Sequence, residues 1–242
     1  MDSRIAIIIP VFNGMSFLST ALQSICDQDG LDGFSLSVIF VDDGSTDGSA
    51  DWIRSLDQTH QGIQVISKCN ETNRGRAFAR NVGLKCAFET GVDWVTWLDQ
   101  DDFLPPNSLR LRLQVHEETG ADWIQGKQQF ILMPGVERPS WCRPEWLEAP
   151  LAGHVLGANL IRTHLAQAIG KFNEGLLHNG DDVDWFLRAK RMGYSPVSLS
   201  DIVLVRQIHG ANGSANPEGN EDLLRVLRAH LSASRSEESF EQ

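Results

Sequence analysis

The sequence predicts an α/β fold, a single Rossmann-like domain whose central, mostly parallel sheet is flanked by helices. Two observations predict it. Through the first hundred residues, short continuous apolar runs alternate with segments of helical period, the pattern of a parallel sheet covered on both faces. The apolar runs also end in polar clusters, at the strand ends where open α/β sheets bind their ligands. A length of 242 residues fits one large domain, and 41% apolar residues is enough for a real core.

The elements follow in order. Ile5 to Val11 is a continuous apolar run, as expected of a strand buried on both faces. Ser16 to Cys26 has helical spacing through Phe17, Leu18, Leu22 and Ile25. Leu36 to Val41 is a second buried strand, closed by the turn-forming run Asp42-Asp43-Gly44-Ser45-Thr46-Asp47. A helix carrying Trp52, Ile53 and Leu56 follows, then a short strand from Ile63 to Ser67. Arg76 to Thr90 is a helix, and Trp94 to Leu98 is a fourth strand.

The second half is less regular. Pro105-Pro106 opens a helix over Ser108 to Glu118. Trp123 to Gln125 and Gln128 to Met133 read as two short strands, and Met133 to Pro150 as a proline-rich loop or flap. Asp181 to Met192 is a helix, Val197 to Val205 a strand, and Glu221 to Ser232 a last helix. Residues 236–242 form a polar tail beyond a domain spanning 1–235.

Charge and cysteine content exclude several function classes. The formal net charge of −11 argues against a duplex-binding surface, which needs clustered Lys and Arg. An acidic protein suits a divalent cation that meets a phosphate. No apolar run approaches the ~20 residues of a membrane-spanning helix, and no signal peptide is expected at the N-terminus. Cys26, Cys69, Cys86 and Cys142 are scattered without a CxxC pair, so reduced thiols in a cytoplasmic protein are expected.

Five groups of residues could carry chemistry. Asp99, Asp101 and Asp102 follow a strand; three carboxylates so close repel one another unless a cation or hydrogen bonds compensate. Oxygen ligands at a strand end suit Mg²⁺ or Mn²⁺, although an acidic turn capping the next helix has the same composition. Asp42-Asp43 needs only one acid for its turn, which leaves the other for a base N–H or ribose hydroxyl. Arg74, Arg76 and Arg80 gather at a helix start, either as a surface stripe or as a grip on a nucleotide. Asp181, Asp182 and Asp184 open a helix, where capping explains at least one and a general base could be another. His209 lies in the loop His209-Gly210-Ala211-Asn212-Gly213, placed to reach a metal or diphosphate. Trp141, Trp146 and Trp185 could stack on a sugar or pack in the interior.

Taken together, several blocks resemble the family-two glycosyltransferases of the GT-A fold. They are Ile8-Ile9-Pro10-Val11-Phe12-Asn13, Val41-Asp42-Asp43-Gly44-Ser45-Thr46-Asp47, the Asn73 to Gly83 segment, Leu98-Asp99-Gln100-Asp101-Asp102, Ile169 to Glu174, and Gly180 to Arg188. The resemblance covers roughly residues 4 to 210. It implies a GT-A domain with a nucleotide-binding half over about 1–104 and an acceptor half over about 105–235. Pro10, Phe12 and Asp43 would line the base site, and Arg80 would lie near the nucleotide. Asp99 and Asp101 would be the DxD pair, with Asp101, and Asp102 as a near competitor, contacting the metal. Asp182 would be the general base, although this chain has Asp181-Asp182 where the family usually shows Glu-Asp. His209 would lie in the loop over the diphosphate.

The activity implied is inverting, metal-dependent transfer from a nucleotide-diphospho-sugar, with a UDP-sugar expected, to an acceptor hydroxyl in glycan or surface-polysaccharide assembly. The cofactor is Mn²⁺ or Mg²⁺. The expected partners are the nucleotide sugar, a glycan, lipid-linked or other hydroxyl acceptor, and optionally a second copy of the chain; nucleic acid and an integral membrane segment are not expected. Location is expected in the cytoplasm, with a peripheral place at the inner membrane face as the other option. A nucleotidyltransferase and a non-catalytic nucleotide-sugar-binding module are the alternatives. The Pro-Val-Phe-Asn end of the first strand disfavours the former, and intact acids at three stations disfavour the latter. No G-x-G-x-x-G turn follows the first strand, against a dinucleotide-binding Rossmann enzyme.

Overall fold

The computed structural model describes residues 3–152, 155–176, 179–210, 212 and 221–230. The first half runs β1 (Ser3–Val11), α1 (Met15–Cys26), β2 (Phe34–Asp43), α2 (Ser49–Ser55), β3 (Thr59–His60), β4 (Ile63–Asn70), α3 (Arg76–Thr90) and β5 (Trp94–Trp97). The second half runs β6 (Asp102–Phe103), α4 (Ser108–Thr119), β7 (Trp123–Leu132), α5 (Glu145–Glu148), β8 (Leu151–Ala152), β9 (Asn159–Arg162), α6 (Thr163–Ile169), α7 (Asp181–Arg191) and β10 (Val197–Ile208). A further helix, α8, covers 221–230.

One sheet runs through both halves in the order β3-β4-β2-β1-β5-β9-β7-β10-β6, with β8 paired to β7. Its long ladders, β4–β2, β2–β1 and β7–β10, are parallel. The antiparallel pairings involve only two or three residues each, as between β5 and β9 or β6 and β10. The expected mostly parallel sheet is therefore present, with antiparallel insertions in its second half.

The continuous apolar run of β1 has a direct cause. Ile5, Ile7, Ile9 and Val11 join one core cluster and Ala6 and Ile8 the other, on the opposite face. A strand's side chains alternate, so a strand covered on both faces must be apolar at every position. Asn81 and Arg80 interrupt the apolar content of α3 and are buried nonetheless. Asn81 bonds both Phe172 N–H and Phe172 C=O, fixing the segment before α7.

Three expectations are corrected here. The two short strands expected between Trp123 and Met133 are one strand, β7, continuous through Gly126. Glycine reads as a break, yet here a Cβ would lie 2.4 Å from Val203 Cγ2, so the neighbouring strand fills the space. The four-residue β9 falls in a region read as irregular; it pairs with both β5 and β7 and so completes the sheet. The flap between Met133 and Pro150 contains the short helix α5, and Trp141 and Trp146 pack in a small cluster with Phe130, Cys142 and Ile208. The polar tail over 236–242 and the end of the last expected helix lie outside the described residues.

Gly83 lets α3 approach β1 closely, because a Cβ there would sit 2.3 Å from Ile8 Cγ2. Overpacking costs about 1–3 kcal/mol, more than the helix propensity that valine gains over glycine, well under about 1 kcal/mol. Gly83→Val is therefore expected to lower the urea midpoint at unchanged slope, by the equivalent of about 1–2 kcal/mol.

Candidate functional site

The ends of β1, β2 and β5 open on a cleft of about 460 Å³. Six of the residues expected to bind line it: Pro10, Phe12, Asp43, Asp99, Asp101 and His209. A smaller chamber of about 90 Å³ shares Arg76, Asp99 and Arg206 with this cleft and adds Arg80, Asp102, Asn179 and Asp182.

The two acids that end β2 divide their work. Asp42 is buried and accepts from Ser45 N–H at 3.2 Å, closing the turn. Asp43 accepts from Asn70 Nδ2 at 2.8 Å and from the N–H groups of Arg74 and Gly75 at 3.0 and 2.8 Å. These bonds hold the Asn73–Gly75 loop against the end of β2, where Asp43 still borders the cleft. Gly75 has a φ of +95°, in the left-handed region where glycine is favoured, as α3 begins.

Arg80, expected near the nucleotide, is only 2% exposed and lines the small chamber rather than the large cleft. Its Nη1 donates to Asp181 Oδ2 at 2.5 Å and its Nη2 to Asp99 Oδ1 at 3.0 Å. α3 presents Arg76 one turn earlier, and Arg76 Nη2 reaches Asp181 Oδ1 at 3.3 Å. Burial alone would raise the pKa values of Asp99 and Asp181. The arginines, Arg80 foremost, overcome this and hold both below the ordinary carboxylate range.

The acids that open α7 are told apart by their partners. Asp181 is clamped by Arg76 and Arg80. Asp184 accepts from Arg188 Nε at 2.9 Å and lies 3.1 Å from His230 Nε2 of α8. Among the described residues, the hydrogen bond to the Asp182 carboxylate comes from Val183 N–H in its own helix. Burial and the neighbouring Asp181 push its pKa above the ordinary value, more than Arg80 and Arg76 lower it. Arg188 also donates to Ile169 C=O and Lys171 C=O, both at 2.7 Å, which seats α7 on the preceding segment. Trp185 is buried, bonds Gly170 C=O at 2.8 Å and stacks on Phe172, so it is a packing residue.

The three acids after β5 also diverge. Asp101 faces the cleft, with its Oδ2 2.9 Å from His209 Nε2 and 3.2 Å from Asn212 Nδ2. Asp102, the competing metal contact, is 3% exposed, lies in β6, and lines the small chamber rather than the cleft. Its oxygens take Arg206 Nε and Gln207 N–H, both at 3.3 Å, across the β6–β10 pair. Of the two acids expected at the metal, Asp101 lines the cleft and Asp102 lines the small chamber.

Among the described residues, no three His, Cys, Asp or Glu side chains gather as a preformed metal cage. Of the acids that line the cleft, Asp101 lies 2.9 Å from His209, so that a carboxylate and an imidazole face it side by side. A small divalent cation held by one or two protein ligands and completed by phosphate oxygens and water fits that donor set.

Sequence reading missed Arg206 and Gln100. Arg206 lies just past the strand expected to end at Val205, and nothing in the sequence singles it out; the ladder places it opposite Asp102. Gln100 stands between the acids, where attention falls on the carboxylates.

Replacing Arg80 leaves Asp99 and Asp181 without their main counter-charge, a change that costs about 3–5 kcal/mol for buried pairs. Both acids have depressed folded-state pKa values, so this stability is present above their unfolded pKa and is lost as pH falls through the folded one. Arg80→Met is expected to destabilise by about that amount at pH 7 in urea unfolding. Its deficit narrows as pH drops toward 3.

Residues 6–154 match the model of glycosyl transferase family 2. An uncharacterized glycosyltransferase of Haemophilus influenzae is 34% identical over 131 residues, 54% of this chain and 49% of that protein. The chain spans half or less of the length of the curated relatives it matches. Among solved structures, S. aureus TarS in complex with UDP-GlcNAc superposes with a TM-score of 0.70 at 20% identity, over 94% of this chain and 65% of that one. The mannosyltransferase PcManGT from Pyrobaculum calidifontis, in complex with GDP-Man and Mn²⁺, gives 0.67 at 18% identity, over 98% and 65%. These likenesses show the GT-A fold.

Proposed function

The chain belongs to glycosyl transferase family 2, and from that premise we propose that it moves a sugar from a nucleotide-diphosphate donor to an acceptor hydroxyl, with inversion at the anomeric carbon. The observation that carries this is Asp182. Of the three acids that open α7, it alone is left without an arginine ion pair among the described residues, and it lines a chamber that shares Arg76, Asp99 and Arg206 with the cleft. The neighbours' complexes with UDP-GlcNAc and with GDP-Man and Mn²⁺ support a nucleotide-sugar donor and a divalent ion.

The residues divide the work as follows. Pro10, Phe12 and Asp43 take the base, and the cleft between them and Asp101 takes the diphosphate. Asp101 and His209 hold Mn²⁺ or Mg²⁺, which when bound offsets the charge that develops on the leaving diphosphate. Arg206, beside Asp99 where cleft and chamber meet, adds a fixed positive charge on the same wall. Asp99, with one oxygen held by Arg80, keeps the other for a donor hydroxyl.

In the transfer, the acceptor oxygen forms a bond to the anomeric carbon as the bond to the diphosphate oxygen breaks. That oxygen leaves with the electron pair, and the acceptor proton passes to the Asp182 carboxylate. Attack from the face opposite the diphosphate inverts the centre. A raised pKa makes Asp182 a better base than a solvated aspartate, provided it is ionised.

The half up to about 104 is assigned to the donor and the rest, to about 235, to the acceptor. No helix of the described residues is long and apolar enough to cross a membrane. Acceptors in the cytoplasm or at the inner membrane face both agree with that.

Asp182→Asn is expected to lower kcat by at least about 10²-fold while nucleotide-diphosphate affinity, read by calorimetry, stays within about twofold. Transfer that survives the substitution overturns the base assignment. Because the base works ionised and its pKa is raised, kcat/KM for the native chain falls as pH drops, with the limb above the ordinary carboxylate range. Chelation is expected to stop transfer. His209→Ala should raise the Mn²⁺ concentration needed for half-maximal rate by about tenfold, comparable to loss of a ligand or its support.

A further inference from the structure

We propose that Gln100 is a positioning residue that ties the base-contacting end of β1 to the acidic loop after β5, so that Phe12 and Asp101 are held as one rigid unit. The inference rests on the nucleotide reading of the cleft given above.

Gln100 accepts from Phe12 N–H through Oε1 at 2.9 Å and donates from Nε2 to Phe12 C=O at 3.0 Å. One side-chain amide thus takes both backbone groups of one residue, in the manner of a neighbouring strand. The other side of that residue is fixed independently. Asn13 has a φ of +50°, donates its N–H to Ser45 Oγ at 2.9 Å and accepts from Thr46 N–H at 2.8 Å. The ring of Phe12 is left 42% exposed at the cleft wall. An aromatic ring kept in water on a backbone clamped from two sides is preorganised for a planar partner, since that backbone needs no further ordering on binding.

Gly14 supplies the independent observation. Its φ of −108° is open to any residue, so backbone strain does not demand glycine. Space does: a Cβ there would meet Gln100 Oε1 at 2.3 Å and Cδ at 2.5 Å. The glycine is the seat of the glutamine amide. The chain neighbours of Gln100, Asp99 and Asp101, line the same cleft.

The test is a double-mutant cycle. Gln100→Met keeps the side-chain length without the amide, and Gly14→Ala keeps the glutamine but evicts it from its seat. UDP and GDP, each with MnCl₂, are titrated calorimetrically into the full chain and its variants, and donor KM and kcat are measured with the corresponding nucleotide sugar. Each single variant is expected to weaken the nucleotide that the native chain binds by about fivefold, raising donor KM with kcat within about twofold. The double variant is expected to be no worse than either alone, because both remove the same tie. Additive losses, or no loss in either single variant, overturn the proposal while the nucleotide reading stands. A native chain that binds neither UDP nor GDP overturns both. Circular dichroism and urea midpoints identify any variant lost to misfolding, and Gln100→Ala then replaces it with the same expectation.

Discussion

A guanidinium buried between two carboxylates holds the site together. Arg80 reaches Asp99, just after β5, and Asp181 at the start of α7, acids far apart in the chain. A charge at 2% exposure is tolerable only when it is paired and hydrogen-bonded. The pairing therefore fixes where α7 begins relative to the sheet edge, and with it where Asp182 sits relative to the cleft. Gly83, one turn further along α3, lets that helix lie close enough to β1 for the arginine to reach.

Neighbouring acids with the same covalent chemistry acquire different properties from their partners. Asp181 and Asp184 have arginines within bonding distance, whereas Asp182 has a peptide N–H and the repulsion of Asp181. After β5, Asp99 is paired with Arg80, Asp101 meets His209, and Asp102 is buried against Arg206. Burial raises the pKa of Asp102 well above the usual range, and Arg206 offsets only part of it. The difference between an acid kept ionised, an acid open to a ligand and an acid able to hold a proton is thus made by Arg76, Arg80, Arg188, Arg206 and His209, none of them adjacent in the chain to the acid it acts on.

Much of the fold was legible because its cause is local. The two-face burial of β1 requires an unbroken apolar run, and the 3.6 period of α3 is visible even with Arg80 and Asn81 on its buried side. β7 and β9 were not legible for the opposite reason. Gly126 reads as a break unless Val203 is known to fill its missing side chain, and four residues of β9 carry no period at all. Trp185 illustrates the same limit: its composition suits a sugar platform or a core, and only the contact with Phe172 and Gly170 decides for the core.

By itself the sequence determined the alternation of strands and helices, the stations at which polar residues leave the sheet, and the identity of the acids at those stations. Hydrophobic period and turn chemistry are properties of near neighbours, so they survive in one dimension. Which acid faces the cleft, which is locked in an ion pair, and which is left with a raised pKa were decided only by tertiary structure. Those outcomes depend on charges brought within a few ångströms across the sheet, and electrostatic energy at such distances in a poorly hydrated interior outweighs any local preference of the aspartate itself.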